Sequence, residues 1–250
     1  MAAAPEARLG GRLALVTGAS RGLGRAIALK FAEQGADLVL VARTVGALEE
    51  LDDRIKAMGR AATLVPLDIT DFDALDRMGQ ALYDRFGRLD VVVGNAATLG
   101  ILSPLAHVDP KIWRSTIDLN LTANWRLLRS CDPLLRASPS GRAIFVTSGI
   151  TRRVVPYWGP YTIAKAALES MVRMYAAEMA HTPVRVNLVN PGPMRTAMRA
   201  EAFPGEDPMT VPLPEEIAEA FVPLAEASCQ LNGEWIAADE WLAAQKLTLQ

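Results

Sequence analysis

Seven short apolar runs, separated by stretches of helical spacing, limit what this chain of 250 residues can become. They fall at 13–16, 36–41, 62–65, 89–93, 143–147, 184–189 and 234–237. Runs this short and this apolar read as buried strands. Between them the patterning predicts helices over 25–34, 45–58, 71–86, 110–135, 160–179 and 214–226, with Asp71 as an N-cap. Strand alternating with helix predicts an α/β architecture: one doubly wound parallel sheet of about seven strands, flanked by helices.

The first strand–helix junction, T-G-A-S-R-G-L-G, points to a ligand. Gly18, Gly22 and Gly24 leave room for backbone to approach a pyrophosphate, which the following helix N-terminus would face. That makes the expected fold of Rossmann type, a single domain over 1–250. The end of the second strand carries Arg43 where an acid would hold a free ribose 2′-hydroxyl, and Arg21 lies in the glycine turn. Two guanidinium groups suit a 2′-phosphate, so NADP(H) is expected in preference to NAD(H). A tight βα connection and a solvated strand-end arginine are the plainer alternatives.

The chemistry is expected between 148 and 165, S-G-I-T-R-R-V-V-P-Y-W-G-P-Y-T-I-A-K. Ser148 ends the fifth run, where open α/β sheets place their sites. Tyr161 and Lys165 are four apart on one face of the helix that follows. A phenol is a poor base near neutrality; an adjacent ammonium lowers its pKa and lets it exchange a proton with a substrate oxygen. A serine hydroxyl beside it can hold that oxygen. A Tyr-x-x-x-Lys pair alone is a weak signal, and a surface pair is its default reading.

The remaining composition excludes more than it suggests. Net charge is −2, so no basic footprint points to nucleic acid. His107 and His181 lie far apart without ligand spacing, so no metal is expected. Cys131 and Cys229 form no disulfide framework. The start, M-A-A-A-P-E-A-R-L-G-G, has no long apolar core, and no run approaches the ~18 apolar residues of a membrane span. A cytoplasmic protein is the expectation. The 160–179 helix is apolar almost all round, which one sheet does not satisfy. It and the 110–135 helix are therefore expected to pack against a second subunit, as a homodimer or homotetramer.

Four separated features then agree: the glycine turn, Asn120, Ser148 and the Tyr161/Lys165 pair, with Ser148 thirteen residues before Tyr161. Together they resemble the short-chain dehydrogenase/reductase family over about 9–237. The resemblance implies hydride transfer between nicotinamide and a carbonyl or secondary alcohol, with Tyr161 as general acid/base. Lys165 would bind the ribose and lower the phenol pKa, Ser148 would bind the substrate oxygen, and Asn120 would hold a water linking Lys165 to solvent.

Cofactor contacts are implied for Gly18, Ser20, Arg21, Gly22, Leu23, Gly24, Arg43, Asp68, Ile69, Asn95, Ala96, Ala97, Tyr161, Lys165, Pro191, Gly192, Met194 and Thr196. Asp68 and Ile69 would meet the adenine ring. Gly94 and Ala97 depart from the family's Asn-Asn-Ala-Gly segment, which implies a tighter fit near Ala97. The C-terminal L-N-G-E-W-I-A-A-D lacks the usual Val-Asp-Gly-Gly, which bears on subunit contacts. The stretch R-T-A-M-R-A-E-A-F-P-G-E-D-P resembles the YciK-like bacterial branch, and 194–214 is the region of a substrate lid. Met194, Met198, Phe203, Tyr157 and Trp158 would line an apolar pocket. An NADP(H)-binding sensor or scaffold with little turnover is the alternative. A sugar-nucleotide epimerase ranks lower, because it needs more chain than the 60 residues that follow Asn190.

Overall fold

The computed structural model describes residues 7–248. Seven strands, β1 (Leu13–Thr17), β2 (Asp37–Ala42), β3 (Ala62–Pro66), β4 (Val91–Gly94), β5 (Arg142–Val146), β6 (Arg185–Asn190) and β7 (Trp235–Ala237), form one sheet. Its order is β3-β2-β1-β4-β5-β6-β7, and every neighbouring pair is parallel. The chain winds outward from β1 to β3, crosses back to β4 beside β1, and winds outward again. Such a reversal of strand order leaves a crevice at the carboxyl ends of the strands.

Both faces of the sheet are covered, which explains the continuous apolar runs. Successive side chains alternate: Ala14 and Val16 face one core, Leu15 the other; Leu38 and Leu40 oppose Val39 and Val41; Ile144 and Val146 oppose Ala143 and Phe145. The first core is closed by α1 (Gly22–Glu33), α2 (Val45–Ala57), α8 (Pro214–Ala218) and α9 (Val222–Ala225). The second is closed by α3 (Phe72–Phe86), α5 (Ala123–Ala137) and α6 (Gly159–Glu178). Asp71 caps α3, its carboxylate accepting from the Ala74 amide at 3.0 Å.

Three elements differ from the sequence expectation. The helix expected over 110–135 runs as α4 (Pro110–Ile117), a π turn (Asp118–Thr122) and α5. The wide turn surrounds buried Asn120, whose amide is drawn away to the Thr98 backbone. The helix expected over 214–226 tightens to a 3₁₀ turn at Glu219–Phe221 between α8 and α9. Pro223 has no amide to return to Glu219, so the α-helical ladder breaks there. After β7 the chain forms a further helix, α10 (Ala238–Thr248), which the sequence reading did not foresee; its Trp241 and Leu242 pack on the first core.

The apolar helix α6 buries Ala164, Leu168, Val172 and Ala176 inward. Ile163 and Met174 on its outer side, with Trp113 of α4 and Trp125 of α5, stay exposed in the single chain.

Candidate active site

A cleft of about 900 Å³ opens over the carboxyl ends of the sheet. At one end the glycine turn forms its floor. Gly18 (φ 68°) and Gly22 (φ 53°) adopt left-handed backbone that other residues rarely take. The N-terminus of α1 has no side-chain cap and no acid in its first turn, so its amides are left for an anion. A dinucleotide pyrophosphate fits this cradle. Ser20, Arg21 and Leu23 line it as well.

Gly24 does not line the cleft; it packs behind it. A Cβ there would lie 2.3 Å from the Gly18 carbonyl oxygen and 2.6 Å from Asn95 Nδ2. Close packing of helix on turn, and not ligand contact, requires this glycine.

The turn is tied to β4 through Thr17, which the sequence reading missed, and through Asn95 and Ala96, which it named. The Thr17 hydroxyl accepts from the Asn95 amide at 3.0 Å and the Ala96 amide at 3.1 Å, and donates to the Val93 carbonyl at 3.3 Å. Asn95 Nδ2 donates to the Thr17 carbonyl at 2.9 Å. Gly94 is explained by its neighbours: a Cβ would lie 2.4 Å from the Phe145 ring and 2.7 Å from Asn124 Oδ1. Asn95, Ala96 and Ala97 line the cleft.

Arg43, Asp68 and Ile69 line the cleft beyond the carboxyl ends of β2 and β3. Arg43 is exposed and pairs with Asp68 at 3.4 Å. Burial pushes the Asp68 carboxyl up, but hydrogen bonds from Thr70 and the Arg43 charge outweigh it and hold the pKa below its usual value. The sequence reading treated these two residues separately; the fold makes them partners.

At the other end, Ser148, Tyr161 and Lys165 meet at the mouth of β5. Burial raises the Tyr161 pKa, opposed by a hydrogen bond between its hydroxyl and that of Ser148. Lys165 is buried, donates to the Val146 carbonyl at 2.7 Å, and lies 6.0 Å from the centre of the tyrosine ring. Burial brings its own pKa down to about 8. In the chain by itself burial holds the phenol pKa above its usual value, opposite in direction to the lowering expected from the ammonium.

Asn120 does not line the cleft. Its Oδ1 accepts from the Thr98 amide and its Nδ2 donates to the Thr98 carbonyl, both at 2.9 Å. The side chain fixes the loop after β4.

Glu169 is the largest omission of the sequence reading. Its Oε1 accepts from the hydroxyls of Thr147 and Thr151, both at 2.7 Å, and from the Trp235 indole at 2.8 Å. One buried carboxylate thus binds the residues on either side of Ser148 to α6 and β7. Its signal was present: Glu169 lies four residues after Lys165, an acid on the inward face of an apolar helix.

Beyond β6, Pro191, Gly192, Met194 and Thr196 line the cleft. Asn190 Oδ1 accepts from the Gly149 amide at 2.8 Å and the Gly192 amide at 3.2 Å, joining this loop to the Ser148 turn. The 194–214 segment is not all loop: it contains α7 (Ala197–Ala202), capped by the Thr196 hydroxyl, and a 3₁₀ turn at Pro208–Thr210. Met198, Phe203 and Trp158 face the cleft, whereas Tyr157 lies exposed outside it.

The sheet order, the glycine cradle and the Ser148–Tyr161–Lys165 grouping define a dinucleotide-dependent oxidoreductase of short-chain type. The family model for short chain dehydrogenases matches residues 12–207, and the chain belongs to that family. It is 35% identical over 217 residues to YciK, an oxidoreductase of Escherichia coli, covering 86% of each chain. It is 33% identical over 205 residues to a (−)-trans-carveol dehydrogenase of Rhodococcus erythropolis, covering 77% of this chain and 74% of that one.

The solved structure of Escherichia coli YciK superposes with a TM-score of 0.89 at 33% identity, covering 95% of this chain and 99% of that one. A short-chain dehydrogenase from Escherichia coli crystallised with NADPH gives 0.89 at 34% identity, covering 94% and 99%. One from Shigella flexneri crystallised with NADP gives 0.90 at 33% identity, with the same coverage. These likenesses place the chain in the YciK-like branch of the family and identify it as an NAD(P)-dependent oxidoreductase.

Proposed function

We propose that this protein uses NADP(H) to interconvert a carbonyl compound and its secondary alcohol, with Tyr161 as the proton-transferring residue. The observation that carries the reading is the grouping of Ser148, Tyr161 and Lys165 in one cleft at the carboxyl end of β5, with Lys165 one helical turn from Tyr161. The bound nicotinamide supplies or accepts the hydride.

The chain supplies the rest. Ser148 holds the substrate oxygen, and Tyr161, neutral at pH 7, donates its proton to that oxygen as negative charge develops there. Lys165 presents a cation beneath the phenol and is placed to hold the cofactor ribose. Glu169 and Asn120 act at one remove: the first fixes the Ser148 turn, the second the loop at Thr98. Arg21 in the glycine turn and Arg43 at what would be the adenine end support a preference for a 2′-phosphate, as do the NADP(H)-bound structural relatives.

The exposed apolar residues of α4, α5 and α6 support self-association through those helices. Among the described residues no helix is long and apolar enough to cross a membrane, and a cytoplasmic location is part of the reading.

The deciding experiment is Tyr161→Phe. Turnover of a true substrate should fall by about 10²-fold or more. NADPH binding, followed by its fluorescence, should persist. Wild-type turnover in that variant would refute the assignment.

A further inference from the structure

Beyond Tyr161 the cleft widens into an apolar chamber walled by Leu99, Ile150, Val155, Trp158, Met198 and Phe203. Phe203 closes it from the lid side. Its ring lies 5.7 Å from Trp158, whose indole meets Tyr161 at 6.1 Å in an edge-on arrangement. The wall beside the reacting hydroxyl is therefore aromatic as well as aliphatic. Among the described residues no carboxylate lines this chamber. The two acids of the whole cleft, Asp68 and Asp239, belong to the adenine end and to the Gly192 loop.

Four arginines stand around the chamber, and three are already engaged. Arg152 lies over the Trp235 ring at 4.5 Å and faces Glu169 at 3.7 Å. Arg195 Nε donates to the Pro208 carbonyl at 2.8 Å. Arg199 stacks 3.7 Å over Phe203 and is neutralised by Glu206, with contacts of 2.5 and 2.6 Å. Arg153 differs. Its backbone is extended (φ −150°, ψ 154°), and its exposed side chain lines the cleft, which that of Arg152 does not. Among the described residues its guanidinium has no ion pair, ring contact or hydrogen bond.

We propose that the substrate is a ring-bearing apolar carbonyl compound, or the matching alcohol, that carries an anionic group received by Arg153 at the chamber mouth. The inference rests on the reading of Tyr161 as acid/base and adds the class of molecule presented to it. Apolar walls favour a buried ring at about 25 cal/mol per Å² and disfavour an unpaired charge near the reacting carbon. The anion must then sit away from that carbon, at the rim, where a guanidinium can take a carboxylate or a phosphate through two parallel N–H donors.

The test is titration calorimetry on NADP⁺-loaded protein with three probes sharing one aryl ketone: para-acetylbenzoate, its methyl ester and para-acetylphenyl phosphate. At least one anion should bind about five-fold more tightly than the ester, the scale of an exposed ion pair. The stronger of the two anions identifies the headgroup. That advantage should shrink with added salt, vanish in Arg153→Gln and reverse in Arg153→Glu. Equal affinity of anions and ester for the wild-type protein, or an anion advantage that survives Arg153→Gln, would overturn the proposal. Failure of the acid/base reading shows separately, as turnover of the neutral ester retained in Tyr161→Phe. An anion advantage lost in Arg153→Gln supports the substrate class whatever that turnover is.

Discussion

The two ends of the cleft are built differently. At the cofactor end, backbone and short buried side chains make the contacts: the Gly18 amide donates to the Val41 carbonyl at 2.8 Å, and Thr17 and Asn95 join β1 to β4. At the lid end, long and partly exposed side chains do so, through the Arg199–Glu206 pair, the Phe203–Trp158 contact and the bond from Arg195 to Pro208. The first kind of contact leaves no freedom to adjust. The second can open and re-form at little cost. A ligand of fixed shape suits the first end, and a substrate that must enter and leave suits the second.

The largest expected effect breaks the rigid end. Gly24→Ala should destabilise the protein by about 1–3 kcal/mol through overpacking and weaken NADPH binding more than about ten-fold. Thermal melts and fluorescence titration check both; normal NADPH affinity in this variant would show that the cofactor end tolerates adjustment after all. Glu169→Ala comes next. It leaves the Thr147 hydroxyl and the Trp235 indole without their buried acceptor, at about 1–3 kcal/mol for a lost partner, while the Thr151 hydroxyl keeps the Ser148 carbonyl at 2.9 Å. Urea denaturation should show that loss, and Glu169→Gln, which keeps an acceptor oxygen, should recover most of it.

A pH effect follows from Lys165. Its pKa is about 8 in the folded chain against 10.5 for an unburied lysine, so between these values the unfolded chain binds more protons and stability rises with pH. The cofactor-free protein should gain about 2 kcal/mol from this group between pH 8 and 10. Lys165→Met should remove the gain. Above about pH 10 the raised Tyr161 pKa acts in the opposite sense, because the folded chain then keeps a proton the unfolded chain releases.

The smallest effect sharpens the contrast at the lid. Glu206→Gln should leave stability nearly unchanged, since the pair is partly exposed and solvent screens it. It should leave NADPH affinity unchanged and shift the KM for substrate. A loss of NADPH affinity instead would show that the lid and the cofactor end are one unit.

What could be read from the sequence follows from how far each interaction reaches. The strands were legible because a strand buried on both faces must be apolar throughout, as in the A-I-F-V run of β5. Ser148, Tyr161 and Lys165 were legible because two lie on one helix turn and the third ends the neighbouring strand. The π turn at Asn120 was not; the partner of its buried side chain, Thr98, lies 22 residues away. Nor was the task of Glu169, whose indole partner lies 66 residues on. The direction of the Tyr161 shift depends on how completely the fold encloses the phenol, which spacing does not report. Helix α10 was not legible because the residues that carry the family resemblance end with β7.

Asn190 carries a consequence for how such a site diversifies. A single oxygen grips both the turn that presents Ser148 and the loop at Gly192. A displacement of either loop pulls on the other. A change that re-shapes the Gly192 loop for a bulkier molecule therefore also re-aims the serine hydroxyl, so new selectivity and altered turnover should be inherited together.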